Sequence, residues 1–540
     1  MNRFQIFLSR RSTGILFTII SIFASNCWQQ ILPNFDVDNS FCIAAAKNIS
    51  EGHGYSIEMA DPGDLSKSYF QPLNKWPPGH SWLLFLIHKI FHTDWVNTTY
   101  ILNALGLTIL VLLFRKLLFQ LEFPSWIVHC AILFFGFFEY TFHFSNNTDL
   151  LALVFYLAGL SVLLTFVKST GNTGMMVLTA GFLLGSTAYM KYLYIPLAFL
   201  PFVSLLAYGQ LTRQKIFLFA ALKGLLSISL IIFSLLLFQY LNSGNSVYIN
   251  PSKTGFFPEQ LLWLGPVVPA SFINLNFINM QLSIYSSIPY EKLNNFWSLI
   301  NVICIGWLFF TAYKIFRDKI SRRPDYRSFY AIHAVVFAIC LFGFLSVLSV
   351  LKYKKYPDSF SLWVYVGEIR YYAVLTVLLT QFALLIFIHP EYFFKHTRRP
   401  VFQWILILIL LEEVTHGIYF NSKQILVKKS YSLRQEHDAI FLKTKTFINR
   451  LSEKNEPIVF SSNAQEIANA AALEGIPVMY DPGTLRPPVP SSRSITLIIA
   501  VDKRVPGQDI PLLQGGTVRP DYEFKSVSYY IVNVPKSTGF

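Results

Sequence analysis

Apolar residues in this chain gather into continuous runs of about twenty, the length that crosses a bilayer as a helix. The runs predict spanning helices over residues 14–32, 96–113, 126–142, 150–167, 175–190, 195–208, 217–240, 296–313, 329–351, 372–388 and 401–420. Because the runs are unbroken rather than alternating, they do not suit the strands of a β-barrel. Residues 81–91 are apolar but too short to span, and are expected to lie at the membrane interface. The stretch 33–80 is too polar for lipid, and 242–295 is expected as a second long outer segment. The expected fold is therefore an α-helical polytopic membrane protein of roughly eleven transmembrane helices.

Charge supports this order of spans. Only 14% of residues are charged, against about 25% in soluble domains. Basic residues concentrate in short loops: Arg115 and Lys116; Lys168; Arg213 and Lys215; Lys314 through Arg327; Lys395, Arg398 and Arg399. With the first helix entering from the cytoplasm, all of these fall on the cytoplasmic side. The net charge of +14 is then a positive-inside signature, and nucleic acid is not an expected partner. Arg3, Arg10 and Arg11 precede a first run with no small-residue cleavage site. The expectation is an uncleaved helix with a cytoplasmic N-terminus, in a bacterial inner membrane.

After residue 420 the composition becomes that of a soluble protein. Strands are expected at 457–462, 476–481, 495–502 and 529–534, with a helix over 463–474 stopped by Gly475. The division is thus a transmembrane domain, 1–420, which includes the outer loop 33–80, and a small extracytoplasmic α/β domain, 421–540. No glycine-rich phosphate loop is present, so no nucleotide cofactor is expected. The five cysteines lack metal-type spacing.

The stretch after the first helix carries the densest chemistry. It reads Phe35-Asp36-Val37-Asp38-Asn39, then an Ala-rich helix through Ala44, Ala45 and Ala46, then Glu51-Gly52-His53-Gly54-Tyr55, and later Lys75-Trp76-Pro77-Pro78-Gly79-His80. Carboxylates where a helix meets the interface suit a general base or a metal ligand. An equally ordinary role for Asp36 or Asp38 is to cap the helix that follows.

The order of these features resembles the GT-C membrane glycosyltransferases, among them the protein O-mannosyltransferases and the lipid A aminoarabinose transferases. Asp38 through Tyr55, with Ala46-Lys47-Asn48-Ile49 in register, is similar to their acidic, Ala-containing and Gly-x-Gly-Tyr pattern. The resemblance implies transfer of a sugar from a polyprenyl-phosphate donor to a glycan, lipid or protein acceptor on the outer (periplasmic or lumenal) face. It makes Asp38 the acidic residue that acts on the acceptor, with Asp36 as a second carboxylate. Asn39 stands where many relatives have Glu, which leaves metal dependence open: no cofactor is certain, and a divalent metal remains an option.

A lipid-phosphate donor needs cations on that same face. Lys75, Lys191 and Arg370, with Tyr371 beside it, are the candidate phosphate ligands, arginine because its fork matches phosphate oxygens. Lys352, Lys354 and Lys355 are also basic against the topological trend. Simple snorkelling to the headgroups competes for each of these. Asp149, His53, Tyr55 and Glu368 are the candidate substrate-binding residues; Asp149 could instead position Lys191, or simply cap the helix that starts there. The rival class is a transporter or flippase, which would place ionisable groups at mid-membrane and show repeated halves; here the notable charges collect at the outer ends of the runs.

Overall fold

The computed structural model describes residues 3–27, 35, 37–137, 148–169, 174–245, 326–352, 373–388, 432–452, 457–485, 489–503, 505 and 520–537, with parts of 296–310 and 404–419. Its helices, in chain order, are α1 Arg3–Leu8, α2 Arg11–Cys27, α3 Val37–Ser50, α4 Gly79–Phe91, α5 Trp95–Gln120, α6 Ser125–Phe135, α7 Thr148–Lys168, α8 Gly174–Met190, α9 Tyr194–Leu197, α10 Leu200–Thr212, α11 Lys215–Ser243, α12 Tyr326–Lys352, α13 Ala373–Ile388, α14 Ser432–Ser452 and α15 Gln465–Ala472. The chain divides into two compact units. The first is Met1–Gln29, Asn103–Leu237 and Tyr248–Val427; the second is Gln30–Leu102, Phe238–Val247 and Lys428–Phe540.

Among the described residues, five helical stretches are long and apolar enough to cross a membrane: Trp95–Gln120, Thr148–Lys168, Tyr194–Thr212, Lys215–Ser243 and Tyr326–Leu345. Ser125–Phe135, Gly174–Met190 and Ala373–Leu385 are shorter apolar helices. The protein is a helical membrane protein. The expected runs 150–167 and 175–190 match α7 and α8 to within two residues at each end. The run 96–113 continues to Gln120, because the Arg115 guanidinium lies over the Phe119 ring, 5.5 Å from its centroid, and the helix carries both charges without ending. The run 195–208 is split into α9 and α10, with Pro201 in the first turn of the second piece, where its missing N–H costs nothing. Residues 14–32 are helical through Cys27. Most of 401–420 and much of 296–313 lie outside the described residues.

Small residues let the helices of the first unit approach closely. A Cβ on Gly185 of α8 would fall 2.8 Å from Cβ of Ile231 on α11, and one on Gly159 of α7 would fall 2.7 Å from Cγ of Leu184. Some buried polar groups bond from one helix to another. Gln120 donates to Ser161 O at 2.9 Å and to Thr165 Oγ1 at 2.7 Å, joining α5 to α7. His333 of α12 sits between the Tyr156 hydroxyl and Ser204 Oγ, each 3.1 Å away.

The second unit is built on one seven-stranded sheet of order β2-β1-β4-β3-β5-β7-β6. Its strands are β1 Ser56–Asp61, β2 Asp64–Pro72, β3 Ile458–Ser462, β4 Val478–Met479, β5 Ile495–Asp502, β6 Tyr522–Phe524 and β7 Val527–Val534. β1 and β2 form an antiparallel hairpin, and β1 runs parallel to β4 through the pairing of Met59 with Val478. β4, β3 and β5 are parallel, and β5, β7 and β6 are antiparallel. Four strands expected near the C-terminus are therefore present, and the hairpin within 33–80 adds two more. On one face Ala60 and Leu65 of the hairpin share a core with Val459, Leu497 and Ile499. Helices α3 and α15 pack together, and alanines 44, 45, 46, 468, 470 and 471 are all buried. The Ala-rich composition of α3 is what so close a helix contact requires.

Candidate active site

Helix α3 opens the site. Asp38 lies in its first turn and is half-buried, where the unpaired amides of a helix N-terminus favour a carboxylate. Asp36, the other proposed carboxylate, lies outside the described residues. At the far end of α3, Gly52 and Gly54 take φ of 87° and 73°. Residues with a Cβ adopt that left-handed region at a cost, so the Gly-x-Gly spelling is a backbone requirement of this turn. The turn delivers Tyr55 into the interior, where it is 2% exposed. Its hydroxyl donates to Trp76 O at 2.9 Å and stands 3.2 Å from Pro77 O. The Gly-x-Gly-Tyr and Lys-x-Pro-Pro-Gly elements are thus fastened to each other.

That fastening fixes Lys75. Its ammonium stands 4.4 Å from the Trp76 ring centroid and 5.7 Å from that of Phe41, and the Phe41 and Trp76 rings stack at 4.5 Å. An exposed cation on a two-ring aromatic platform is attracted by both ring faces. Phe41 is three residues after Asp38 on the same helix, close to one turn. The structure therefore brings Lys75 to the acidic end of α3. The platform was not read from the sequence; an aromatic residue directly after the lysine is the signal that could have found it.

His53 is elsewhere. It is exposed, stacks on Phe70 with centroids 3.9 Å apart, and its amide donates to Asn48 O at the C-terminal end of α3. Twelve helical residues separate Asp38 from the end of α3, about 18 Å at 1.5 Å per residue. His53 is therefore not beside Asp38, and the Tyr55 hydroxyl is engaged by main-chain carbonyls. His80, in contrast, is fully buried at the start of α4, and neither ring nitrogen has a hydrogen-bond partner among the described residues. Burial pushes its pKa down to about 4, so the ring is neutral at physiological pH.

In the first unit, the two other described candidates meet each other. Lys191 Nζ is 2.5 Å from Asp149 Oδ2, and the Asp149 side chain is fully buried. Asp149 stands in the first turn of α7, and Lys191 directly follows α8. Glu368, Arg370 and Tyr371 lie outside the described residues, as do residues 353–355 and the basic stretch 314–325. Among the described residues, no three His, Cys, Asp or Glu side chains gather as a metal cluster. All five cysteines are free thiols.

No protein-family model matches the sequence, and no curated protein matches it. Solved structures to which the chain is similar include the Archaeoglobus fulgidus oligosaccharyltransferase in complex with Zn and sulfate, at 10% identity and a TM-score of 0.49 over 91% of this chain and 68% of that one. The archaeal oligosaccharyltransferase AglB from Archaeoglobus fulgidus, in complex with an inhibitory peptide and a dolichol-phosphate, is 11% identical over 93% of this chain and 71% of that one, with a TM-score of 0.45. ArnT from Cupriavidus metallidurans bound to undecaprenyl phosphate is 11% identical, with a TM-score of 0.49 over 96% of this chain and 97% of that one.

Proposed function

We propose that this protein is an integral membrane glycosyltransferase of GT-C type, which takes a sugar from a polyprenyl-phosphate donor and transfers it to an acceptor on the outer face of the membrane. The observation that carries the reading is an acidic helix start with a cation on the same helix end: Asp38 in the first turn of α3, and Lys75 over the rings of Phe41, one turn on, and Trp76. The resemblance of the ordered motifs from Asp38 to Lys75 supports the same assignment. Eleven spans, an outer C-terminus and a bacterial inner membrane belong to this proposal.

In this reaction Asp38 accepts the proton of the acceptor hydroxyl as its oxygen bonds to the anomeric carbon. The bond from that carbon to the phosphate oxygen breaks, and its electron pair leaves with the polyprenyl phosphate. Lys75 balances the charge that grows on the phosphate. Phosphate roles for Lys191, Arg370 and Tyr371, and substrate roles for Asp149, His53, Tyr55 and Glu368, rest on the sequence pattern alone.

The test is turnover by the full chain in proteoliposomes, supplied in turn with radiolabelled undecaprenyl-phosphate glucose, mannose, galactose and aminoarabinose. Release of sugar, or transfer to an added acceptor, from at least one donor is expected. Accumulation of label inside the vesicles with the donor intact would instead assign the protein to transport.

A further inference from the structure

The first turn of α3 is tied to the C-terminal part of the second unit by a chain of hydrogen bonds. The Tyr480 hydroxyl donates to Asn469 Oδ1 at 2.7 Å. Asn469 Nδ2 donates to Ser40 Oγ at 2.9 Å, and Ser40 Oγ donates to the Val37 carbonyl at 3.0 Å. Every bond runs in the same direction. Because the Ser40 proton is committed to Val37, Ser40 must accept from the amide nitrogen of Asn469, which leaves the amide oxygen for Tyr480. The orientation of Asn469 is thereby determined by its partners.

The chain is also shielded from solvent. Asn469 and Ser40 are each 1% exposed, and burial pushes the Tyr480 phenol well up from its ordinary range, so it remains a donor. The Tyr480 ring also lies 5.1 Å from the Phe41 ring, beside the platform under Lys75. Val37 and Ser40 bracket Asp38 on the same turn, so a contact that fixes both sets the rotation of the turn that carries the carboxylate. Hydrogen bonds aligned in one direction polarise one another.

We propose that Asn469, supported by Tyr480, is a positioning residue for Asp38: the C-terminal part of the chain sets the angle at which the α3 carboxylate is presented to the acceptor hydroxyl. This rests on the glycosyl-transfer reading for its catalytic consequence, but not for the relay itself. Displacing a catalytic group by about 1 Å is enough to cost roughly 100-fold in rate.

The experiment compares the full-length wild type with Asn469→Ala, Ser40→Ala, Tyr480→Phe and the double variant Ser40→Ala/Asn469→Ala in proteoliposomes. Turnover of the undecaprenyl-phosphate sugar that the wild type accepts is measured beside amide hydrogen exchange. Asn469→Ala and Ser40→Ala are expected to lower kcat roughly 10- to 100-fold with the KM for donor little changed, and Tyr480→Phe to lower it less. The double variant should be no worse than the poorer single one, because both cut the same chain. Exchange should quicken at the amides of residues 38–41 while the β-sheet keeps its protection. Unchanged kcat, multiplying single effects, or exchange that quickens throughout the unit would overturn the proposal. A wild type that turns over no donor would overturn the transfer reading instead, and exchange at 38–41 would then decide the relay alone.

Discussion

The carboxylate of Asp149 has no access to solvent, and its ion pair with Lys191 decides what a substitution there costs. Removing one partner strands a buried charge, so Lys191→Ala is expected to destabilise the first unit by about 3–5 kcal/mol. Asp149→Asn combined with Lys191→Met should cost less than Lys191→Ala alone, read from thermal unfolding in detergent. Both residues were legible as outer-end charges, and positioning of Lys191 by Asp149 was one of the options the sequence left open; the direct ion pair across 42 positions is what the structure adds, since no local pattern encodes the contact. His80 gives a second residue-scale outcome. Its pKa falls from an unfolded value of about 6.5 to about 4, so the unfolded chain binds the extra proton between these values. The stability that a neutral His80 allows is complete above pH 6.5 and is lost as pH falls toward 4, by roughly 3 kcal/mol. His80→Phe should flatten unfolding-against-pH curves over that window; curves parallel to the wild type would remove His80 as their cause.

Elements in the two units are held by different means. α7, α8 and α11 approach through glycines, so Gly185→Leu must push α8 away from Ile231. Overpacking of this kind costs about 1–3 kcal/mol, and Gly185→Ala should cost less than Gly185→Leu in the same unfolding assay. The hairpin of β1 and β2 is held by Asp64, which accepts from the Ser492 amide at 2.8 Å and from Ser66 Oγ at 2.7 Å. Hydrogen bonding from Ser492, and then Ser66 and Lys67, holds its pKa well below the ordinary carboxylate range. Its contribution is present above about pH 4 and is lost as pH falls through the lowered value. Asp64→Asn should therefore loosen the hairpin at neutral pH, as faster amide exchange in β2, and remove part of the acid sensitivity. The hairpin escaped the sequence reading because its neighbour β4 lies some four hundred residues away, and because polar Ser56 and Asp64 are buried in it. The run of Ile57 and Met59 is too short to signal a strand by itself.

At the scale of the whole molecule, the helical membrane character was written in composition and run length, which need no tertiary information. The C-terminal strands were written almost as plainly, since 495–502 is β5 residue for residue. What could not be read was that the second unit draws on three separated segments of chain. A fragment of residues 428–540 produced alone lacks β1, β2 and α3, and is expected to remain poorly protected in amide exchange. The candidate site follows the same division. Its motifs were legible in order, and their joining through Tyr55 and Trp76 was not, because a hydroxyl-to-carbonyl contact leaves no periodic trace.

The most direct test of the central claim is Asp38→Asn, which keeps the shape of the side chain and removes its ability to take a proton. Transfer of sugar from a radiolabelled undecaprenyl-phosphate donor is measured in proteoliposomes, together with binding of undecaprenyl phosphate to the same preparation. Loss of transfer by roughly 100-fold or more, with lipid-phosphate binding unchanged, is the result that glycosyl transfer through Asp38 predicts. Transfer at the wild-type rate by Asp38→Asn would contradict it.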